Sequence, residues 1–179
     1  MAEEHHETPR SIALVGLMGS GKSTIGACVA SQLAWPMRDS DLDIGVATSR
    51  TVAQLAGVEG VDAMHAREVA QALSALTTDE PVVAALAGYA VESPEVRKAL
   101  RRAFVVWLRA SNAVLAQRFS SDDDHRPTFG PDQLAVFAAQ MRVRGPLLAN
   151  VANLVIDVDG ETPPQISDRI VRAYRSSEV

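Results

Sequence analysis

A short apolar run, Ser11 to Val15, ends at the octet Gly16-Leu17-Met18-Gly19-Ser20-Gly21-Lys22-Ser23. The octet satisfies G-x-x-x-x-G-K-[S/T] at every fixed position and sits where that pattern needs to sit, between a buried strand and the start of a helix. Each part has a physical task. The glycines let the backbone curl so that successive N–H groups point inward as a nest for anionic oxygens. The helix that opens inside the loop adds its positive end. Lys22 is placed to bridge the terminal phosphates of a nucleotide, and the Ser23 hydroxyl to take a coordination position on Mg²⁺. The chain carries 17 cationic residues, of which only Lys22 and Lys98 are lysines. A lysine kept in this position by a chain that otherwise uses arginine is therefore informative.

The rest of the chain continues the alternation that this loop begins. The pattern predicts strands at Met37–Asp41, Pro81–Leu86, Phe104–Leu108 and Asn153–Asp157. Helices are expected over Ser23–Leu33, Asp41–Thr48, Thr51–Ala56, Val61–Leu76, Ser111–Phe119, Asp132–Arg144 and Pro163–Tyr174, and one more opens at Ser93-Pro94-Glu95 with an N-cap serine and a proline at the first helical position. Five strands alternating with helices imply a three-layer α/β/α arrangement around a parallel sheet, with ligands beyond the carboxyl ends of the strands. Residues 1–10 read as a solvated tail and 11–179 as one domain.

Composition narrows the function. With 179 residues, 47% hydrophobic and 22% charged, the chain is long enough to enclose a core. Its longest apolar stretch, Val82 to Val91, is half the ~20 residues of a membrane span. A net charge of −5 disfavours a nonspecific nucleic-acid binder. The single cysteine, Cys28, excludes a disulfide framework within the chain and reads as a packing residue. The acidic N-terminus lacks a secretory core. The expected setting is the cytoplasm, as a monomer, with no nucleic-acid or membrane partner.

Asp39-Ser40-Asp41 closes the second expected strand. Residues i and i+2 of a strand share a face, so both carboxylates would reach one site, one serving a metal-bound water and the other a proton from an attacking hydroxyl. The alternative is an Asp-rich turn that caps the next helix.

Together these motifs resemble the shikimate kinase family. Leu14 to Thr24, Asp39-Ser40-Asp41, Glu59-Gly60, Glu68, Arg126-Pro127, Arg144-x-Pro146-Leu147 and Asp157 fall in that family's order, over about residues 11–175. The resemblance implies a nucleoside monophosphate kinase-like P-loop fold with strand order 2-3-1-4-5 and a lid at about 120–131. It implies transfer of the ATP γ-phosphoryl, with Mg²⁺, to a hydroxyl of shikimate or a similar small molecule. Carried over by motif, Lys22, Asp41 and Arg126 are the catalytic residues. Gly16, Met18, Gly19, Ser20, Gly21, Lys22, Ser23, Thr24, Arg118 and Pro163 hold the nucleotide, and Ser23 and Asp39 serve the metal. Asp41, His65, Gly88, Tyr89 and Arg144 face the acceptor, with Arg144 on its carboxylate.

The acceptor half departs from the family pattern. His65 stands where the family's E-G-x-x-x-F-R-x-x-E segment has an arginine, and Met64 replaces its aromatic. Arg67 is two positions on, about 200° around a helix. An imidazole is mostly neutral at pH 7 and cannot fork onto a carboxylate, and a lost charge-assisted hydrogen bond costs about 1.5–3 kcal/mol. Ala87-Gly88-Tyr89 replaces a Gly-Gly-Gly, and Leu148 replaces a tyrosine. Two other readings therefore accompany the first: a kinase for a different small hydroxylated acceptor, and a nucleotide-binding protein that transfers no phosphate.

Overall fold

The computed structural model describes residues 11–120 and 132–177. Five parallel strands, β1 (Ser11–Val15), β2 (Met37–Asp39), β3 (Val83–Ala85), β4 (Ala103–Arg109) and β5 (Leu154–Asp157), form one sheet in the order β2-β3-β1-β4-β5. The helices are α1 (Lys22–Leu33), α2 (Ser40–Thr48), α3 (Val52–Glu59), α4 (Val61–Leu76), α5 (Pro94–Leu100), α6 (Asn112–Ser120), α7 (Gln133–Val151) and α8 (Pro163–Ser177), with a 3-10 turn at Ala90–Glu92. This is the arrangement and strand order expected above. The tail 1–10 and nearly all of the lid segment 120–131, with Arg126, lie outside the described residues.

The apolar strands owe their composition to burial on both faces. On β1, Ile12 and Leu14 join a core with Val29 of α1, Leu115 of α6, Phe137 of α7 and Ile170 of α8. Ala13 and Val15 face the opposite core, with Ala72 of α4, Val96 and Leu100 of α5 and Leu148 of α7. Side chains such as Ile12, Leu14 and Leu100 are essentially sealed, each stabilising the fold by about 1.5–3 kcal/mol relative to exposure.

Several boundaries differ from the sequence pattern by a few residues, among them the ends of β3, α3 and α8, and two of the differences have a clear cause. The strand Met37–Asp41 stops at Asp39, because the Asp39 carboxylate accepts the N–H groups of Asp41 and Leu42 and so opens α2. The helix expected to end at Arg144 runs on to Val151 through Pro146. Proline removes one bond of the helical ladder, but the extra two turns or so carry Leu147 and Leu148 into the second core. Asp157 of β5 meets Arg109 of β4 in a two-pronged ion pair at 2.5 and 2.8 Å.

Candidate active site

The loop after β1 is held by contacts that only glycine permits. Gly16 has φ 146°, and a Cβ there would stand 2.5 Å from the Leu108 carbonyl oxygen of β4, so no larger residue fits. Gly19 (φ 83°) and Gly21 (φ 91°) complete the curl. Gly21 is the N-cap of α1 and offers no side-chain cap, which leaves the first N–H groups of the helix for an anion. The Lys22 ammonium folds back over the loop and donates to the carbonyls of Gly16 and Leu17, both at 3.0 Å. Arg118 reaches across from α6 and donates to the Gly19 carbonyl at 3.0 Å.

Asp39 and Asp41 both face this loop, though not from one strand. Asp39 is buried as the N-cap of α2, and Asp41 occupies the first turn of that helix. The capping alternative therefore holds, and both residues also line the one cavity. Asp39 Oδ1 caps, while Asp39 Oδ2 is buried with no hydrogen-bond partner among the described residues. The Ser40 hydroxyl accepts the Ala87 N–H at 3.3 Å and ties this turn to the end of β3.

The remaining wall comes from α4, the turn after β3 and α7. His65 of α4 stacks on Tyr89, with ring centroids 3.5 Å apart. Burial, aided by Arg144, pulls the imidazole pKa down, so the ring is neutral at pH 7. Tyr89 has φ −76°, and its side chain is accommodated without a left-handed backbone. Arg67 turns away to Glu59 at 2.8 Å, as its angular offset predicts. Arg144 lies 5.7 Å from the Tyr89 ring and donates through Nε to Glu92 at 2.7 Å and through Nη1 to Gln140 at 3.4 Å.

Glu68 is one turn beyond His65 on α4. It is buried, with Oε2 lacking a hydrogen-bond partner among the described residues. Burial first, then the nearby Asp41 charge, raises its pKa to about 7, against opposing pulls from Arg144 and Lys22.

These groups enclose one cavity of about 490 Å³. Met18, Gly19, Ser20, Gly21, Lys22, Ser23 and Thr24 line it from the loop, joined by Arg118 and Pro163. Asp39, Asp41, His65, Gly88, Tyr89 and Arg144 line the other side. Gly16 is outside the lining and acts through the shape of the loop and as a carbonyl partner of Lys22. The sequence reading assigned no site role to Glu68, Glu92, Gln140 or Glu161. Glu68 had a signal, since i+3 from His65 shares its helical face. Glu92 had none, because its partner Arg144 is 52 residues away.

The donor set fits a nucleotide with Mg²⁺. An uncapped helix start and a lysine face the buried, unpartnered Asp39 Oδ2 and the exposed Ser23 across one cavity. Among the described residues no three His, Cys, Asp or Glu side chains gather into a cation cage. No helix among the described residues is long and apolar enough to cross a membrane.

Comparison with known proteins agrees with this geometry. The shikimate kinase family model matches residues 18–175. A shikimate kinase of Thioalkalivibrio sulfidiphilus is 35% identical over 167 residues, covering 92% of this chain and 87% of that protein. One from Halorhodospira halophila is 35% identical over 172 residues, covering 96% and 97%. Among solved structures, the shikimate kinase of Acinetobacter baumannii in complex with shikimate superposes with a TM-score of 0.87 at 27% identity, covering 97% of each chain. A gluconokinase from Sinorhizobium meliloti shares the fold at TM-score 0.62 and 21% identity, covering 97% and 96%.

Proposed function

Because this chain belongs to the shikimate kinase family and is an ATP-dependent phosphotransferase of that type, we propose that it moves the γ-phosphoryl of ATP to a hydroxyl of shikimate or a similar small molecule in the cavity between α1 and α4. The observation that carries this reading is the meeting of Lys22 and the uncapped start of α1 with Asp41 and Glu68 in one enclosed space.

The roles follow from position and charge. The loop N–H groups and Lys22 hold the terminal phosphates and stabilise the charge that spreads over the transferring group. Ser23 and Asp39 would hold Mg²⁺, Asp39 by way of a metal-bound water, with its Oδ2 left for that task by the capping bonds of Oδ1. When bound, the cation neutralises phosphate charge. Arg118 and Pro163 flank the nucleotide base. Asp41 orients the acceptor hydroxyl and accepts its proton as the new O–P bond forms. Arg126 enters only through the resemblance, as the lid arginine on the transferring phosphoryl.

Acceptor-dependent release of ADP from Mg·ATP tests this function. Wild type is expected to release ADP faster with an acceptor present, and the K22A protein to show no such increase. Equal rates in the two proteins would overturn the proposal.

A further inference from the structure

Among the described residues the arginines lining the cavity are Arg118 and Arg144, and Arg118 donates to the Gly19 carbonyl of the phosphate loop. Lys22 stands at the phosphate end. His65 is held neutral by burial and by Arg144, and Arg67 is paired with Glu59. Among these groups an anionic part of the acceptor meets a single guanidinium at this wall, that of Arg144. How that guanidinium is held decides how well it can grip.

It is held from behind. Glu92, at the end of the 3-10 turn after β3, accepts Arg144 Nε at 2.7 Å, and Glu92 itself is outside the lining of the cavity. The turn is anchored by Ala90 and Val91, both buried in the second core. Arg97 of α5 pins it further, donating to the carbonyls of Val91 and Glu92 at 2.8 and 2.7 Å. Gln140, one helical turn before Arg144, accepts Nη1 at 3.4 Å. Nη1 lies 3.6 Å from where a Cβ on Gly88 would stand. The Nε side of the guanidinium thus faces Glu92, and its terminal edge is left toward the cavity beside Gly88. Only 14% of the arginine side chain is exposed, and a pair so shielded is stronger than a solvated one.

We propose that Glu92 is a positioning residue for the acceptor: through Nε it fixes Arg144 with the terminal guanidinium edge presented to a carboxylate. This rests on the phosphotransferase reading above, and on the place that the family resemblance gives Arg144, and adds the group that aims it. A loose arginine has many rotamers to lose when it grips a ligand, and fixing it in advance removes that loss from binding. The terminal edge can then take a carboxylate on two parallel N–H groups. The Glu92 charge opposes an incoming anion, but from the far side of the guanidinium.

The test uses shikimate and its methyl ester, which lacks the carboxylate charge. Calorimetry on the ADP-loaded wild-type, E92A and E92Q proteins reads affinity for each ring, and mass spectrometry after addition of Mg·ATP reads phosphorylation. Unchanged ADP affinity controls for folding of the variants. E92A, with Arg144 released, is expected to bind shikimate about three- to tenfold more weakly. Its affinity for the ester should stay within about twofold of wild type, and its acceptor KM should rise with little change in kcat. E92Q keeps an oxygen for Nε and is expected to lie closer to wild type than to E92A. Shikimate bound by E92A as tightly as by wild type or more so, an equal loss for both rings, no recovery in E92Q, or no binding of shikimate to wild type overturns the proposal. Binding in the expected order without a phosphorylated product counts against the phosphotransferase reading and leaves the role of Glu92 standing.

Discussion

The imidazole of His65 lies flat on the phenol ring of Tyr89, the two planes 4° from parallel with centroids 3.5 Å apart. The contact joins α4 to the turn after β3, two segments that come together only because β3 sits between β1 and β2 in the sheet. Each residue explains the other. An arginine at 65 would bring charge against the wall, and a glycine at 89 would leave the imidazole without its platform. The pair gives this wall of the cavity two stacked rings.

Reversing the pair should restore charge recognition. H65R combined with Y89G places a guanidinium beside Glu68 and opens the wall. Shikimate is expected to bind about ten- to a hundred-fold more tightly, the range of one charge-assisted hydrogen bond. Calorimetry on the ADP-loaded protein measures this, and unchanged affinity would show that position 65 does not meet the acceptor.

Glu68 makes stability depend on pH. Its pKa of about 7 in the folded protein lies above the ordinary 4.5, so the native state binds the proton more tightly than the unfolded chain. The associated stabilisation is complete below pH 4.5 and is lost as pH rises through 7, with an amplitude of up to about 3 kcal/mol. E68Q has no proton to lose. Its melting temperature should fall less than that of wild type between pH 5 and pH 8.5, and parallel curves would contradict the assignment.

On the proposed function Asp39 has two tasks, the cap of α2 and a place at the metal, and one substitution separates them. D39N keeps an oxygen to accept the N–H groups of Asp41 and Leu42, so thermal stability should change by less than about 1 kcal/mol. The negative charge on Oδ2 is lost, and the Mg²⁺ concentration for half-maximal activity should rise tenfold or more. D39A loses the cap as well and should unfold at lower temperature. An unchanged Mg²⁺ requirement in D39N would remove Asp39 from the metal site.

The nucleotide half of this molecule was legible in the sequence because its chemistry is local. Gly16 through Ser23 build the cradle from consecutive residues, and the flanking apolar runs place it between strand and helix. The fold was legible for a similar reason, since strands buried on both faces read as continuous apolar segments. Asp39 and Asp41 line one cavity, but Asp41 stands on α2 and not at the end of β2, because the capping bonds that end β2 depend on side-chain geometry that spacing leaves open. The acceptor half was less legible. The Glu92–Arg144 pair joins segments 52 residues apart in the chain, and the raised pKa of Glu68 arises from burial and a neighbouring aspartate on another helix. The helix read as ending at Arg144 continues through Pro146, where packing of Leu147 and Leu148 outweighs the missing hydrogen bond.

The most direct test of the account is transfer of labelled γ-phosphoryl from Mg·ATP to a small hydroxylated acceptor, with shikimate and its methyl ester supplied together and K22A as the blank. Loss of the Lys22 ammonium, which donates to the carbonyls of Gly16 and Leu17, should lower transfer at least about 100-fold while leaving the fold intact. The account predicts label in a phosphorylated ring with wild type and essentially none with K22A. Label transferred equally by both proteins, or no labelled ring from a wild-type protein shown to bind ATP and the acceptor, would contradict it.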